Sequence, residues 1–437
     1  MKVGFVSLGC SKNLVDTEKT IDIFKKHGYD IVNNPKEAEI IVINTCGFIE
    51  TAKEEAINTI LEMAEYKKEN CKYIIAMGCL VQRYRDELEK SLPEVDLFIK
   101  YDEYDTIWSQ IDKLINKDII HEKEEDIPFN KLQDRVITTG DNFAYVKIAD
   151  GCNNCCTFCA IPYIRGRFES RPMEDIIEEV KKLAKSGYKE IILIAQDTTK
   201  YGIDIYGKPK LAELLKKLCK IDGIKWIRFL YAYPETIDDK LIKVVKKNEK
   251  ICKYFDIPIQ HISDSVLKRM NRKSNSESIE LLIKKLREKI PNVIIRTTVM
   301  VGFPGETQED FEKLCNFVES AKFDKLGAFT YSKEEGTPAA KLKEQVHPMT
   351  KKARYNKIME IQQKVSEENL NKYIGKELEV LVEGKTIDGK YYVCRSYMDV
   401  PDIDGLIYLN NSKELKIGDF VKCTIKSSIN EYDLLGE

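Results

Sequence analysis

The first third of the chain alternates between short apolar runs and longer charged segments. The charged segments, such as VDTEKTIDIFKKHG and KEEAINTILEMAEYKK, repeat apolar residues every three or four positions, as helices do. The apolar runs have the length of buried strands and lie at 2–8, 39–44, 72–78 and 96–100. Strands that alternate with helices form βαβ units, so this region predicts a doubly wound parallel sheet.

A second alternating series follows a polar, acidic region at 101–137, which we interpret as a last helix and a linker. Helical segments of ten or more residues separate its strands. The six strand candidates lie at 143–149, 190–196, 226–231, 254–260, 293–302 and 325–332. Six βα steps are fewer than the eight of a closed (β/α)8 barrel, so the pattern predicts an open, partial (β/α)6 barrel.

The pattern changes twice more towards the C-terminus. A lysine-rich segment at 348–373 has the spacing of one long helix, and the short runs LEVLVEG, KYYVCRS, GLIYLN and FVKCTIK then follow with turn residues between them. Such runs predict a small all-β barrel. The fold class is therefore α/β with an added barrel, and we place the domains at 1–117, 138–368 and 371–437.

Composition narrows the class of protein. The chain has 437 residues, of which 43% are hydrophobic, and a formal net charge of −2. No apolar run approaches the ~18 residues of a membrane span, and the start, MKVGFVSLGC, is not typical of a signal peptide. We therefore expect a cytoplasmic protein without a membrane partner. Thiols stay reduced there, so its 13 cysteines indicate metal or redox chemistry rather than disulfides.

The loop DGCNNCCTFCAIP, at 150–162, carries four of these cysteines. Cys152, Cys156 and Cys159 are spaced C-x3-C-x2-C, which suits three corners of a 4Fe–4S cluster and leaves its fourth iron free for a ligand. Phe158 is placed to cover one side of this site, and Cys155 is a bystander. The alternative is a zinc knuckle that uses all four thiols, although zinc sites favour paired C-x2-C units with a spacer.

Three further cysteines share a position relative to the strands. Cys10, Cys46 and Cys79 each lie at or just past the carboxyl end of a predicted strand in the first domain. The carboxyl ends of parallel strands meet along one edge of an open sheet, where ligands bind. We therefore expect these three thiols to converge, although a buried cysteine at each position is the ordinary alternative. The other six cysteines lie within helix- or strand-like patterns and are interpreted as packing residues.

Weaker candidates lie at strand ends of the second domain. Gln196 and Asp197 are placed to contact a cofactor, or to stabilise a turn through the hydrogen bonds of AQDTT. Gly302 and Gly305, in VGFPGET, would let the backbone approach a cofactor. The same turn places Thr307 as a helix N-cap. Beyond the cluster cysteines, the sequence indicates no catalytic side chain.

Further single residues remain open. His261 ends FDIPIQH and either faces the site or is a hydrogen-bonded structural group, which is the more common state of a lone histidine. Arg165 and Arg167 follow the cysteine loop and are as consistent with solvated surface as with substrate contact.

These motifs together resemble the radical S-adenosylmethionine methylthiotransferases over nearly the whole chain. VKIADGCNNCCTFCAIPYIRG is similar to that family's signature. SLGCSKNLVDTE, INTCGFIE and MGCLVQR resemble its first domain, and the all-β tail resembles its TRAM domain. The resemblance implies two 4Fe–4S clusters and S-adenosylmethionine as cofactors. It assigns Cys152, Cys156 and Cys159 to the cluster that binds S-adenosylmethionine, and the N-terminal cysteines to an auxiliary cluster that handles sulfur.

Within the family, several stretches resemble the RimO type, among them AQDTTKYG, FDIPIQH, VGFPGETQEDF and NEYDLLG. That type adds a methylthio group to the β-carbon of an aspartate in small-subunit ribosomal protein twelve. The alternative is the related MiaB type, which modifies an anticodon-loop adenosine of tRNA. An electron donor such as flavodoxin or ferredoxin is also implied.

The resemblance also implies how the chemistry runs. An unactivated C–H bond is beyond side-chain acids and bases, so a 5′-deoxyadenosyl radical would abstract the hydrogen. The auxiliary cluster would then present sulfur to the carbon radical. The two cysteine triads must therefore face each other, with the N-terminal sheet over the mouth of the barrel.

The charge of the tail bears on the substrate. From 375 to 437 there are eight basic and twelve acidic residues, and a domain that grips tRNA should be basic. The acidic excess favours a basic ribosomal protein over tRNA. A non-catalytic iron–sulfur carrier and a zinc-stabilised RNA-binding protein remain as functions of other classes. A carrier, however, needs neither open iron sites nor a barrel.

Overall fold

The computed structural model describes residues 1–116, 128–132, 134–410 and 413–437. Most of the predicted acidic linker, including nearly all of KEEDIP at 123–128, lies outside the described residues. Short 3-10 turns connect several elements, at Pro35–Glu37, Glu65–Lys68, Tyr101–Thr106, Phe129–Lys131, Thr198–Lys200, Pro234–Thr236 and Pro338–Lys341. No helix in these ranges combines the length and apolar content that a bilayer crossing requires.

The N-terminal region is a parallel sheet of five strands with helices between them. Its strands are β1 (Lys2–Ser7), β2 (Asp30–Ile31), β3 (Ile40–Thr45), β4 (Tyr73–Gly78) and β5 (Leu97–Ile99), and its helices are α1 (Ser11–Lys26), α2 (Glu50–Ala64), α3 (Cys79–Ser91) and α4 (Ile107–Ile115). The strand order is β2-β1-β3-β4-β5. All six residues of β3 are buried because helices cover both faces of the sheet, and the predicted doubly wound sheet is confirmed.

The central region contains the six predicted parallel strands. They are β6 (Phe143–Lys147), β9 (Glu190–Ile194), β10 (Trp226–Phe229), β11 (Tyr254–Gln260), β12 (Ile294–Val301) and β13 (Lys325–Thr330), and β7 (Ala149–Asp150) and β8 (Glu169–Ser170) form a small antiparallel pair. The strands pair in two groups of three, β6-β9-β10 and β11-β12-β13, which meet at a parallel bridge between Ile227 and Ile251. This arrangement confirms an open, partial barrel.

Helices alternate with these strands along the chain. They are α5 (Ile161–Ile164), α6 (Met173–Lys185), α7 (Ile203–Tyr206), α8 (Leu211–Leu218), α9 (Asp239–Lys247), α10 (Asp264–Arg269), α11 (Ser276–Lys289), α12 (Gln308–Ala321) and α13 (Pro348–Asn371). Thr307 caps α12 as predicted, since its side chain accepts a hydrogen bond from the Asp310 backbone N–H. The long helix α13 packs against β13 and α12, and it leads the chain to the last domain.

The C-terminal barrel is closed and has five strands rather than the four that the sequence indicates. They are β14 (Glu377–Lys385), β15 (Tyr392–Ser396), β16 (Ile407–Leu409), β17 (Phe420–Ser428) and β18 (Leu434–Gly436), in the order β14-β15-β16-β18-β17. The strand that the pattern missed is β18, which is too short to show an alternation of its own. It pairs parallel with β16 and antiparallel with β17 and so closes the barrel.

The segment between β15 and β16 inserts beneath the central barrel. The Lys325 ammonium lies 2.9 Å from Asp399, the Tyr254 hydroxyl donates to Asp404 at 2.7 Å, and Arg228 donates to the Tyr397 carbonyl at 2.8 Å. The three central-barrel residues stand at or near the starts of their strands. The C-terminal domain therefore closes the amino-terminal end of the central barrel and leaves the carboxyl end to the N-terminal sheet.

A buried ion cluster ties the same two domains together. Glu190, at the start of β9, lies 2.9 Å from Arg228 and 2.6 Å from Arg395 of the C-terminal barrel, and all three side chains are fully buried. Burial opposes ionisation of Glu190, but the two guanidinium groups outweigh it and lower the pKa of this carboxyl. Removing one partner of such a cluster leaves uncompensated buried charge.

We expect Glu190→Gln to lower the free energy of unfolding by about 3–5 kcal/mol, because it leaves the buried guanidinium of Arg228 without its carboxylate partner, while Arg395 keeps Glu383 at 2.7 Å. Denaturant unfolding, with tryptic release of the C-terminal barrel as a second measure, checks this. Glu379→Gln is the matched control, since Glu379 pairs across the same two domains with Lys225 at 2.9 Å but both side chains are about half exposed. The control should cost less than about 1 kcal/mol, and equal losses in both variants would contradict the expectation.

Candidate functional site

The three N-terminal cysteines lie at the carboxyl edge of the sheet, as the strand pattern predicts. Cys10 is the residue before α1, Cys46 follows β3 and Cys79 is the first residue of α3. The strands that lead to them, β1, β3 and β4, are neighbours in the sheet. Two of the three thiols thus stand at helix N-termini, where the helix dipole favours negative charge.

Local contacts bring these three thiols to one place at the start of α1. Asn13 is central, because its side-chain oxygen lies 3.4 Å from the Cys79 Sγ and its backbone N–H is directed at the Cys10 thiol. Gly9 lies directly against Cys46, where a Cβ on the glycine would stand 2.8 Å from the Cys46 Sγ. A side chain at position 9 would therefore occupy the space between the thiols.

A second glycine permits close packing behind this site. A Cβ on Gly47 would lie 2.6 Å from the Leu80 Cα, so only glycine allows the turn after Cys46 to approach the start of α3. The motifs that contain these glycines, SLGC and TCGF, therefore set the spacing between the strands' ends.

The second triad lies in the loop after β7. The Cys152 and Cys156 side chains are buried and Cys159 is half-buried, whereas Cys155 is exposed with a positive φ of 51°. The Asn154 backbone N–H points at the Cys152 sulfur at 3.5 Å, and the Cys159 N–H donates to the Cys156 carbonyl at 3.0 Å. Cys155 is thus the one exposed thiol of the loop, and its role as a bystander stays a prediction.

The two triads are adjacent across the domain boundary. Cys79 packs against Ala160 and Ile164, which directly follow Cys159 in the loop and α5. Arg165, at the end of α5, reaches back to the N-terminal domain, where its Nη2 lies 3.7 Å from the Cys79 Sγ. The N-terminal sheet therefore covers the loop of the second triad, as the resemblance implies.

Arg165 belongs to a buried ion network that joins the two domains. Its guanidinium lies 2.7 Å from Asp16 of α1 and 2.9 Å from Asp150, and it also bonds the Asn13 side chain. Lys147 pairs with the same two carboxylates. Two cations and two carboxylates thus meet out of contact with water, immediately beside both triads.

The structure contradicts one of the two interpretations of Arg165. The residue is 5% exposed and its guanidinium bonds Asp16 and Asp150, so it is not solvated surface, whereas contact with a substrate stays a prediction. Asp150 is bound as firmly, since Tyr101 donates to it at 2.8 Å and Gln196 at 2.7 Å. Burial opposes ionisation of Asp150, but Arg165 and Lys147 outweigh it and hold the pKa of this carboxyl well below its usual range.

The thiols differ in how readily they ionise. Burial opposes ionisation of Cys10, but Lys12, Arg165 and the N–H groups of α1 outweigh it and lower its pKa. Burial dominates at the other N-terminal thiols and raises the pKa of Cys46, and that of Cys79 to about 11. It also raises the pKa of Cys152, and that of Cys159 to about 12. Iron competes with the proton for each thiolate, so these thiols depend on metal for their ionised form.

The donor set suits clusters rather than single ions. Within the described ranges, no group of three or more cysteine, histidine or acidic side chains is arranged around a position for one metal ion. A cube of iron and sulfur places its thiolates farther apart than one ion does. Two triads of thiols, each with a free corner and a nearby guanidinium, fit two 4Fe–4S clusters.

The weaker candidates of the barrel lie near this site but bond chiefly to the chain. Asp197 accepts hydrogen bonds from Thr199 at 2.6 Å and from Asn154 of the cysteine loop at 2.9 Å. Gln196 donates to Asp150, while its side-chain oxygen has no partner in the structure. Phe158 packs edge-on against Phe303 with 6.5 Å between ring centroids. Their role towards a cofactor stays a prediction.

The two glycines of VGFPGET face other side chains rather than open space. A Cβ on Gly302 would meet Lys351, and one on Gly305 would meet Arg269 and Glu344. Approach of a cofactor to this backbone also stays a prediction. The nearby His261 is fully buried, and its Nδ1 accepts a hydrogen bond from the Ser263 N–H at 2.9 Å. Burial lowers its pKa to about 4, so His261 is a neutral structural group at physiological pH.

Two contacts at the site have no counterpart in the sequence reasoning. Arg272 places its Nη1 3.8 Å from the Cys156 Sγ, and Lys12 places its ammonium 3.3 Å from the centre of the Tyr231 ring across the domain boundary. Both basic residues stand in charged segments that resemble solvated surface. A signal for Lys12 existed in its position two residues after Cys10, but nothing near Arg272 in the chain indicates a cysteine contact.

Three family models match successive parts of the chain. Residues 146–318 match the radical SAM superfamily, residues 2–100 match the uncharacterized protein family UPF0004, and residues 374–437 match the TRAM domain. With the partial barrel and the cysteine loop, these matches define the chain as a radical S-adenosylmethionine enzyme.

Full-length relatives give the particular family. The proteins named ribosomal protein uS12 methylthiotransferase RimO from Alkaliphilus oremlandii and Lachnoclostridium phytofermentans are 60% and 50% identical to the chain. Each alignment covers 100% of this chain and 99% of the relative. The chain belongs to this RimO family of radical S-adenosylmethionine methylthiotransferases. The predicted enzyme class is confirmed, and the predicted cofactors, S-adenosylmethionine and 4Fe–4S clusters, follow from it.

Solved structures support the fold. A radical S-adenosylmethionine methyltransferase, TsrM, from Kitasatospora setae, solved with cobalamin and a [4Fe–4S] cluster, has a TM-score of 0.60 at 12% identity over 77% of this chain and 76% of its own. The cobalamin-dependent S-adenosylmethionine radical enzyme OxsB has a TM-score of 0.52 at 13% identity, over 83% of this chain and 56% of its own. At these identities the likeness concerns the fold alone.

A buried lysine on α1 gives the interface a pH dependence. Lys19 donates to the Phe129 carbonyl at 3.0 Å, and burial, with the nearby Arg171 and Lys147, lowers its pKa to about 7. Between pH 7 and 10 the unfolded chain therefore holds a proton that the folded chain has released, so the free energy of unfolding should rise with pH by about 1 kcal/mol per unit. Chemical denaturation at several pH values measures it.

Lys19→Met should flatten this rise, because the residue that titrates differently in the two states is gone. Lys25→Met, on the exposed side of the same helix, is the control and should keep the wild-type slope. A Lys19→Met slope that matches the wild type would contradict the assignment.

Proposed function

We propose that this chain attaches a methylthio group to the β-carbon of an aspartate in small-subunit ribosomal protein twelve. The observation that carries the proposal is the contact of Cys79 with Ala160 and Ile164, which puts the N-terminal triad against the loop of the second triad. A transfer that joins radical formation to sulfur delivery needs both centres at one cavity. The full-length relatives named for this modification support the choice of substrate.

We assign Cys152, Cys156 and Cys159 as ligands of the cluster that binds S-adenosylmethionine, and Cys10, Cys46 and Cys79 as ligands of the auxiliary cluster. Convergence of each triad and the glycines packed around the N-terminal thiols support the assignment. Each triad leaves one iron of a four-iron cube without a protein thiolate. Cys155, which is exposed, is left out of both sets.

With S-adenosylmethionine bound, such a cluster supplies the one-electron chemistry that an unactivated C–H bond requires. The chain's own residues bind and orient the two centres and enclose the space between them. Asn13 contacts two thiols of one triad while bonding Arg165 from the loop of the other, so the two centres are held in fixed relation. The polar residues of α1 are buried against the barrel, which excludes water from the junction.

The charge of the C-terminal barrel supports a protein substrate less strongly than the composition implies. Three of its acids, Glu379, Asp399 and Asp404, pair with Lys225, Lys325 and Arg296 of the central domain. Arg395 of the same barrel pairs in turn with Glu190 of the central domain, so pairing at the domain interface reduces the excess from four negative charges to two. The preference for ribosomal protein twelve over tRNA therefore rests on the full-length relatives, which do not favour the MiaB alternative.

We propose that an electron donor such as flavodoxin or ferredoxin reduces the cluster held by the cysteine loop, and that the reaction takes place in the cytoplasm with the ribosomal substrate. The outer face of that loop is reachable, since Cys155 is exposed and Asn271 donates to its carbonyl at 2.9 Å. Exposed Lys268 and Lys273 flank Asn271. Their positive charge would attract an acidic donor.

Cluster content tests the ligand assignment. The anaerobically reconstituted chain should hold about eight iron and eight sulfide ions, as two four-iron clusters require. Cys79→Ala and Cys156→Ala should each lose about half of both, and only Cys156→Ala should abolish cleavage of S-adenosylmethionine to 5′-deoxyadenosine. Cys155→Ala is the matched control and should keep full content and cleavage. Zinc without iron or sulfide in the wild type would overturn the assignment.

Substrate choice is tested by mass spectrometry of ribosomal proteins and of tRNA from cells with and without the gene. We expect loss of the gene to remove a methylthio group from an aspartate of small-subunit ribosomal protein twelve and to leave tRNA nucleosides unchanged. Restoring the gene with Cys155→Ala should recover the modification, whereas Cys156→Ala should not. A methylthio group lost from tRNA instead would establish the alternative function.

A further inference from the structure

Each cysteine triad has one buried arginine that points at one of its sulfurs. Arg165 Nη2 lies 3.7 Å from the Cys79 Sγ, and Arg272 Nη1 lies 3.8 Å from the Cys156 Sγ. Both distances suit a hydrogen bond to sulfur, which is longer than one to oxygen. The two arginines come from different parts of the central domain, one from α5 and one from the turn after α10, so each contact is built separately.

We propose that Arg165 and Arg272 are positioning residues, each donating a hydrogen bond to one cysteine thiolate of one cluster and thereby raising that cluster's reduction potential. The inference rests on the proposed function for the cysteines as cluster ligands. A donated hydrogen bond and a nearby positive charge both stabilise the reduced, more negative cluster, and hydrogen bonds to the sulfurs are among the factors that set cluster potentials.

The surroundings of Arg272 hold its guanidinium on the sulfur. Its Nη2 donates to the Pro258 carbonyl at 3.0 Å, and its planar group lies over the Tyr233 ring at 4.4 Å. The side chain is 9% exposed, and its Nε has no hydrogen-bond partner in the structure. A buried guanidinium with an unused donor is costly unless a negative group faces it. A thiolate-ligated cluster at Cys156 is such a group.

The charge of Arg272 has no closer compensation. Among the described residues, no carboxylate lies within ion-pair distance of it, and the nearby Glu235 instead accepts a hydrogen bond from Ser274 at 2.9 Å. With a cluster bound, the Cys156 thiolate would be the negative group that Arg272 contacts directly. Its full positive charge acts on that cluster in surroundings of low dielectric.

Arg165 differs because it shares its charge with Asp16 and Asp150 at 2.7 and 2.9 Å. These carboxylates balance the charge and fix the orientation of the guanidinium, so its effect on Cys79 is chiefly the hydrogen bond. We therefore expect the larger effect on potential from Arg272. Lysine at position 165 would keep the charge but lacks the planar fork needed to bond both carboxylates and the sulfur together.

Redox titration of the reconstituted full chain, followed by electron paramagnetic resonance, tests the proposal. Replacing Cys10, Cys46 and Cys79 together by alanine leaves only the loop cluster to be measured. Replacing the three loop ligands by alanine leaves only the auxiliary cluster. We expect Arg272→Gln to shift the redox equilibrium of the loop cluster about tenfold towards the oxidised form. For a one-electron couple, this shift lowers the reduction potential by about 59 mV. Arg272→Lys, which keeps the charge, should shift the same equilibrium by about threefold.

Arg165→Lys should shift the auxiliary cluster by about threefold in the same direction and leave the loop cluster unchanged. The matched controls are Arg269→Gln and Arg167→Gln, exposed neighbours of the two arginines, and neither should move a potential. The proposal would be overturned if the reduction potential of Arg272→Gln stayed within the error of the wild-type value. If that variant loses its cluster, the same result in Arg272→Lys would overturn it. Absence of iron–sulfur clusters from the wild type would instead contradict the proposed function.

Discussion

The relative placement of the two cysteine triads depends on one buried ion network. Asp16 and Asn13 come from α1, while Lys147, Asp150 and Arg165 come from the central domain, and all five side chains meet beside Cys79. Ion networks of this kind are weak sources of stability, because desolvation offsets most of the attraction. Their value here is geometric, since a pair of carboxylates accepts a guanidinium in few orientations. The network thus fixes how the N-terminal sheet sits on the barrel.

Alternation of apolar runs and helical segments was enough to predict the three domains' architectures, since buried parallel strands are long and almost wholly apolar. The position of Cys10, Cys46 and Cys79 at strand ends, together with parallel topology, predicted their convergence. Elements with little pattern of their own were missed, such as β2 and β18, because two or three residues show no periodicity. Their place is set by tertiary pairing alone.

Charged residues were the least predictable part of the site. Arg165, Arg272 and Lys12 are charged residues whose burial only the folded structure reveals, through contacts between domains for Arg165 and Lys12 and within the central domain for Arg272. The acidic tail favoured the substrate that the relatives support, but a count of charges does not distinguish solvated acids from those already paired with another domain. Asp399 and Asp404, which insert beneath the barrel, belong to the second kind. The sequence shows which residues are charged, but only the assembled fold decides which of those charges are buried.

The chain distance between the ligands differs greatly between the triads. Only one short loop separates Cys152 from Cys159 along the chain, whereas most of the N-terminal domain's sequence lies between Cys10 and Cys79. Closing the longer span costs about 2 kcal/mol more chain entropy than closing the shorter one, unless the sheet has already closed it. The loop triad therefore needs little of the fold to bring its thiols together, whereas the N-terminal triad depends on the pairing of β1, β3 and β4. The N-terminal thiol site is thus a product of the finished sheet, and the loop site is a local feature of the chain.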